Sequence, residues 1–208
     1  MTPENLIAFA IASTLLSLAP GPDNIFVLSQ SALYGRRSGI LITLGLCTGL
    51  MVHTSAVALG VAAIFAVSAT AFTAVKLVGA GYLLWLAWDA FRAAATPIAS
   101  AQKAIVPDAR ALYRRGIIMN ITNPKVAIFF LAFLPQFANP QAGDMPAQLF
   151  LLGGIFILVA LIVFTGIAAM AGFIADGLKG SATAQTVLNR LAGLVFIALA
   201  IRLVSVTR

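Results

Sequence analysis

Apolar residues run along this chain in blocks too long for one face of a soluble helix. No Asp, Glu, Lys or Arg occurs from Ser38 to Val75, from Val126 to Gly143 or from Met145 to Ala175. A bilayer core takes about 20 apolar helical residues per crossing, so the first block is long enough for nearly two. Short polar interruptions divide the chain into six predicted spans, at about 5–34, 38–64, 70–92, 112–137, 147–173 and 186–205. The pattern predicts an all-α polytopic membrane protein. Its longest polar stretch, Ala93 to Ala111, is too short for a separate domain. Residues 1–208 therefore read as one transmembrane domain, with a first half at about 1–95, a connection at about 96–111 and a second half at about 112–208.

The spacing fails in two places. Span 1 covers about 30 residues, roughly 45 Å of helix against a ~30 Å hydrocarbon core. It contains SLAPGPDN, where Pro20 and Pro22 remove helix donors and predict a break. Span 4 contains NITNPK, where Pro124 does the same. From proline onward PDNIFVL (22–28) matches PKVAIFF (124–130), about half the chain apart. Three spans per half set the halves in opposite orientation, the inverted-repeat plan of many transporters, whose sites lie where helices are interrupted. Two ordinary proline kinks would look similar. A kink alone, however, does not call for charged neighbours.

Asp23 and Lys125 come just after their prolines at equivalent positions with opposite sign. A charge at the centre of a membrane helix costs about 2.5–3.5 kcal/mol on insertion scales, so it faces a partner or a wet cavity. One reading is a buried salt bridge joining the halves. The other is a divided receptor for a zwitterion, with Asp23 for an ammonium and Lys125 for a carboxylate. Unwound backbone at Gly21 and Asn123 would add hydrogen bonds. Both readings stay open at this level.

Composition narrows the alternatives. The chain is 61% hydrophobic and 9% charged, with mean hydropathy +1.03, which leaves too little polar surface for a soluble domain. The net charge of +7 comes from residues between apolar blocks, so it reads as a topology signal and not as a nucleic-acid surface. Arg36, Arg37, Arg92, Lys103, Arg110, Arg114, Arg115 and Lys179 fall on one side, expected to be cytoplasmic, which leaves both termini outside. Arg202 and Arg208 run against that assignment. No basic residue precedes the first apolar run, so no cleaved signal is expected. Cys47 is the only cysteine and His53 the only histidine, which argues against disulfide chemistry and against a metal site. His53 and Asp23 are the candidate proton carriers, although a lone His in a helix is commonly a packed, hydrogen-bonded side chain.

At these residues a family resemblance enters. The runs PGPDNIFVLSQSALYGRRSGI (20–40), GAGYLLWLAWDAFRA (79–93) and NITNPKVAIFFLAFLPQF (120–137) resemble the signatures of the LysE/RhtB family of bacterial amino-acid exporters. The resemblance covers essentially the whole chain. It implies a secondary transporter, not an enzyme, that exports amino acids or close derivatives across the inner membrane by proton exchange, with no cofactor. The family's motif positions fall on Pro20, Gly21, Pro22, Asp23 and Asn24, on Gly35, Arg36 and Gly39, and on Asn120, Asn123, Pro124, Lys125, Pro135, Gln136 and Phe137. The expected partners are a zwitterionic solute, protons and lipid. Small-residue pairs Gly35/Gly39 and Gly45/Gly49 favour close helix packing within the chain and leave a homodimer open.

Other expectations are local. Phe26, Phe129 and Met51 are candidates for a side-chain pocket, Asp89 and Arg92 for a surface pair. Competing functions are a metal-ion exporter of related fold, a thiol oxidoreductase, an intramembrane hydrolase using His53 with Ser13, Ser17, Ser29 or Ser55, and a non-transporting scaffold. A single cysteine, the lack of a Gly-x-Ser-x-Gly context and the mirrored breaks weigh against them.

Overall fold

The computed structural model describes residues 1–61, 69–93, 107–139, 143–174 and 181–205, and among them all regular structure is helical. The helices are α1 (Pro3–Leu18), α2 (Pro22–Tyr34), α3 (Arg36–Ala56), α4 (Ala69–Arg92), α5 (Ala109–Ile121), α6 (Pro124–Ile128), α7 (Met145–Ala169) and α8 (Ala182–Ser205). A π turn, Val57–Val61, extends α3; a second, Phe129–Phe133, and a 3-10 turn, Leu134–Phe137, extend α6. Four helices are long and apolar enough to cross a membrane, and six crossings result if each bent pair counts as one. The bends fall between α1 and α2, at 57°, and between α5 and α6, at 50°. Most of the 93–111 connection and the end of the second predicted span lie outside the described residues.

Prolines set both bends. Pro22 and Pro124 stand at the first position of α2 and α6, where the missing N–H costs nothing, but each prevents the preceding helix from running on. Elsewhere the ends are closed by the sequence's own caps. The Thr2 hydroxyl accepts from Asn5 N at 3.4 Å, and the Asp108 carboxylate accepts from Arg110 N at 3.2 Å. Gly35, with φ +85°, makes the turn between α2 and α3 that a side chain would strain.

Packing centres on α3, which lies against α2, α5 and α7, while α1 packs on α7 and α4 on α8. Gly45 and Gly116 let α3 and α5 cross with their backbones touching: a methyl at Gly45 would run into the Tyr113 carbonyl, and one at Gly116 into that of Ile42. Gly39 meets Ser31 and Ala168 in the same way. The small-residue spacing is thus used within the chain. Large apolar side chains such as Ile7, Ile11, Leu158 and Ile162 face outward, as lipid contact requires. Arg92 does not pair with Asp89; its guanidinium lies over the Trp88 ring, 5.0 Å from the centroid.

Candidate functional site

The two breaks meet in the interior. Asp23 is 2% exposed, Asn120 1%, Asn123 3% and Lys125 6%, with Asn24 buried beside them. α2 presents Asp23 in its first turn, where the helix dipole favours a carboxylate. Asn120 Nδ2 donates to Asp23 Oδ2 at 3.3 Å, linking the end of α5 to the start of α2. Lys125 Nζ crosses the other way and donates to the Ala19 carbonyl at 3.1 Å, at the carbonyl end of α1, where a cation is favoured. A methyl on Gly21 would lie 2.7 Å from that ammonium, so glycine is what leaves room for it.

Carbonyls left open where the helices stop are taken up by nearby donors. Asn24 Nδ2 donates to Ser17 O at 2.6 Å. Asn120 O, which Pro124 leaves without its helical donor, accepts from His53 Nε2 at 3.2 Å and from Asn123 N at 3.0 Å. The Asn123 carboxamide oxygen accepts from Lys125 N at 3.0 Å and caps α6. His53 is half-buried, with its ring against Phe130 at 5.7 Å.

Asp23 and Lys125 nevertheless do not pair with each other: among the described residues neither makes a salt bridge, and each is bonded elsewhere. Capacity is left over. Asp23 Oδ1, Asn24 Oδ1, Asn120 Oδ1, Asn123 Nδ2 and Ser17 Oγ are buried without a hydrogen-bond partner. Buried polar atoms rarely stay unpaired, and these five gather around the two breaks, while Gln30 Oε1 and Gln136 Oε1 are open elsewhere. A cavity of about 10 Å³ sits among these groups, with Ser17, Asp23, Asn120 and Lys125 at its polar end. Leu16, Leu50, Val126, Phe156 and Phe164 close the rest. That volume is about one water, too small for an amino acid.

The family model that matches is the LysE type translocator, over residues 14–207, a stretch that includes both breaks and every residue of this site. The chain belongs to the LysE type translocator family. A homoserine/homoserine lactone efflux protein of Salmonella typhimurium is 38% identical over 196 residues, 94% of each chain. An uncharacterized membrane protein of Vibrio cholerae is 33% identical over 190 residues, 91% of each. A leucine efflux protein of Klebsiella pneumoniae is 27% identical over 199 residues, 96% of this chain and 94% of that one. No solved structure matches.

Sequence-predicted Asp23, Asn24, Asn120, Asn123 and Lys125 come together in this translocator, with Gly21 providing clearance and Pro20, Pro22 and Pro124 at the bends. The expected pocket residues do not line the cavity. Met51 is 58% exposed on the outer face of α3, Phe26 is half-buried, and Phe129 is locked among Phe9, Phe133 and Phe156. Phe156 and Phe164 take that place. Their signal was the repeat Phe156, Ala160, Phe164, Ala168, four residues apart on one face of α7.

Proposed function

We propose that this translocator exports amino acids or close derivatives across the bacterial inner membrane in exchange for protons. The observation that carries the proposal is a buried carboxylate and a buried ammonium in one site, unpaired with each other and surrounded by unused hydrogen-bonding capacity. An α-amino acid supplies the complementary pair. Its ammonium goes to Asp23 and the Ala19 carbonyl, and its carboxylate to Lys125 and the Asn123 amide. Relatives named for efflux of homoserine and leucine support the same solute class.

The exchange follows from charge. A bare carboxylate in the membrane interior is costly, so Asp23 holds either the solute's ammonium or a proton, and release of one favours uptake of the other. His53, bonded to the Asn120 backbone while the Asn120 side chain holds Asp23, is the second candidate carrier. The closed cavity is the occluded stage of an alternating-access cycle in which two inverted three-helix halves rock about the site. Pairing of α3 with α5, α1 with α7 and α4 with α8 is what such a two-fold arrangement would give. On this reading the basic connections face the cytoplasm and both termini lie outside, an orientation supported by the Lys/Arg bias and opposed by Arg202 and Arg208.

Protein reconstituted in liposomes and loaded with a labelled amino-acid panel tests this. Saturable efflux, faster with an acid exterior and lost in Lys125→Ala, is the expected result. Efflux indifferent to the gradient would overturn proton exchange, and no efflux of any amino acid would overturn the solute class.

A further inference from the structure

We propose that His53 is a positioning residue of the transport site: together with Gly49, one turn away on α3, it cradles Asn120 and sets the Asn120 carboxamide on Asp23. This rests on the exporter reading above and, of the two candidate carriers, leaves the proton to Asp23.

Asn120 is held from three sides. Its carbonyl lacks a helical donor because Pro124 carries no N–H, and the two lone pairs are taken by Asn123 N at 3.0 Å and His53 Nε2 at 3.2 Å. Its side chain is 1% exposed and lies against Gly49, where a methyl would come within 2.7 Å of Asn120 Cβ and Oδ1. Gly49 and His53 are four residues apart and share one face of α3. That face gives room at one level and a donor at the next. The carboxamide is then set in one orientation. Nδ2 donates to Asp23 Oδ2 at 3.3 Å, and a flipped amide would turn Oδ1 against the carboxylate.

The same bond fixes what His53 can do. A carbonyl only accepts, so Nε2 carries a proton and the ring is the donor. The nitrogen bonded to the site therefore faces an acceptor that cannot pass the proton on. Phe130, 5.7 Å away between ring centroids, packs the imidazole in place. The charged groups that border the cavity beside this turn are Asp23 on α2 and Lys125 on α6. Asp23 is bonded to Asn120 and Lys125 to the Ala19 carbonyl, and among the described residues neither is bonded to His53. α5 offers His53 only the Asn120 backbone, and α7 carries no charged residue from Met145 to Ala169. A standing donor is what this surrounding asks of the imidazole.

The test is efflux from liposomes over a range of internal amino-acid concentrations, which separates affinity from maximal rate. His53→Phe keeps a ring beside Phe130 and removes the donor, and His53→Leu stands in where the second ring packs badly. In either variant the half-saturating concentration is expected to rise about fivefold, the worth of one hydrogen bond, with the maximal rate less affected. His53→Gln returns an N–H that does not titrate. It is expected to bring half-saturation to within about twofold of wild type and to keep the stimulation by an acid exterior. In an Asn120→Ala background His53→Phe is expected to add nothing, because it acts through that carboxamide. Loss of acid stimulation in His53→Gln would make His53 a proton carrier and overturn the assignment. Wild-type half-saturation in both His53→Phe and His53→Leu, or a further fivefold rise on top of Asn120→Ala, would also overturn it while leaving amino-acid export standing. No efflux of any amino acid from wild-type protein would overturn the exporter reading, and the inference with it.

Discussion

The two helix breaks use the same backbone device and opposite chemistry. At the second break the local chain supplies its own repair: Asn123 caps α6 with its carboxamide, Asn123 N bonds back to Asn120 O, and Thr122 Oγ1 bonds to Ile118 O at 2.8 Å. At the first break Gly21 offers no side-chain cap, and the Ala19 carbonyl is held by Lys125, which arrives from the second break. The helices beyond the two prolines differ as well. After apolar residues 25–28, α2 continues with Ser29, Gln30 and Ser31, whereas α6 continues into the π turn with Phe129, Phe130 and Phe133, whose rings meet those of Phe9, Phe137 and Phe156 tilted or edge-on. The second break is therefore capped by its own Asn123, whereas the first has no side-chain cap and combines one local bridge, Asn24 Nδ2 to Ser17 O, with the contact from Lys125. On the proposed reading, a solute that draws Lys125 onto its carboxylate would release the Ala19 carbonyl at the first break.

Lys125→Ala should disturb this asymmetry more than any other change. Loss of one partner of a buried charged contact costs about 2–5 kcal/mol, so solute affinity should fall by roughly thirtyfold or more. Hydrogen exchange should also quicken at Ala19 to Asn24 but not at Asn120 to Val126. Asp23→Asn comes next. It removes a charged hydrogen bond worth about 1.5–3 kcal/mol, so efflux should slow by at least about tenfold and lose its stimulation by an acid exterior. Gly21→Ala adds a methyl 2.7 Å from the Lys125 ammonium. The atom it meets is the far end of a flexible side chain, which can give way, so the expected reading is slower efflux, as Lys125 is displaced from the Ala19 carbonyl, with the unfolding temperature little changed. The least change is expected from Asn123→Ala, where loss of a cap costs about 0.5–2 kcal/mol and lowers the unfolding temperature. Because Gly21 has no cap to lose, a stability change confined to Asn123 would mark the second break as the self-supporting one, and equal sensitivity at both breaks would erase the distinction.

Much of this architecture can be read from the chain. Charge-free blocks locate the spans, and Pro22 and Pro124 locate the bends, because a missing N–H acts locally and leaves a local mark. Asp23 and Lys125 stand out because a charge is rare in an apolar block. The partner of Lys125 was not readable: the Ala19 carbonyl is backbone, and any residue at that position would offer it. Nor was the π turn at Phe129–Phe133, which arises within an apolar run that carries no breaker until Pro135. Ser17 was visible only as one serine among several, since its free hydroxyl is a matter of rotamer and neighbours. Met51 was a reasonable pocket candidate by position, but its face of α3 turns outward.

If Asp23 and Lys125 each hold one end of a zwitterion, removing either end of the ligand should be felt at one residue and not at the other. Calorimetric binding of an amino acid, its carboxamide and its N-acetyl derivative to wild-type protein, Asp23→Asn and Lys125→Gln decides the matter. Wild-type protein should prefer the intact amino acid to both analogues. Lys125→Gln should lose its preference over the carboxamide alone, and Asp23→Asn its preference over the N-acetyl derivative alone. Equal binding of all three ligands to wild-type protein, or loss of both preferences in each variant, would contradict the divided site.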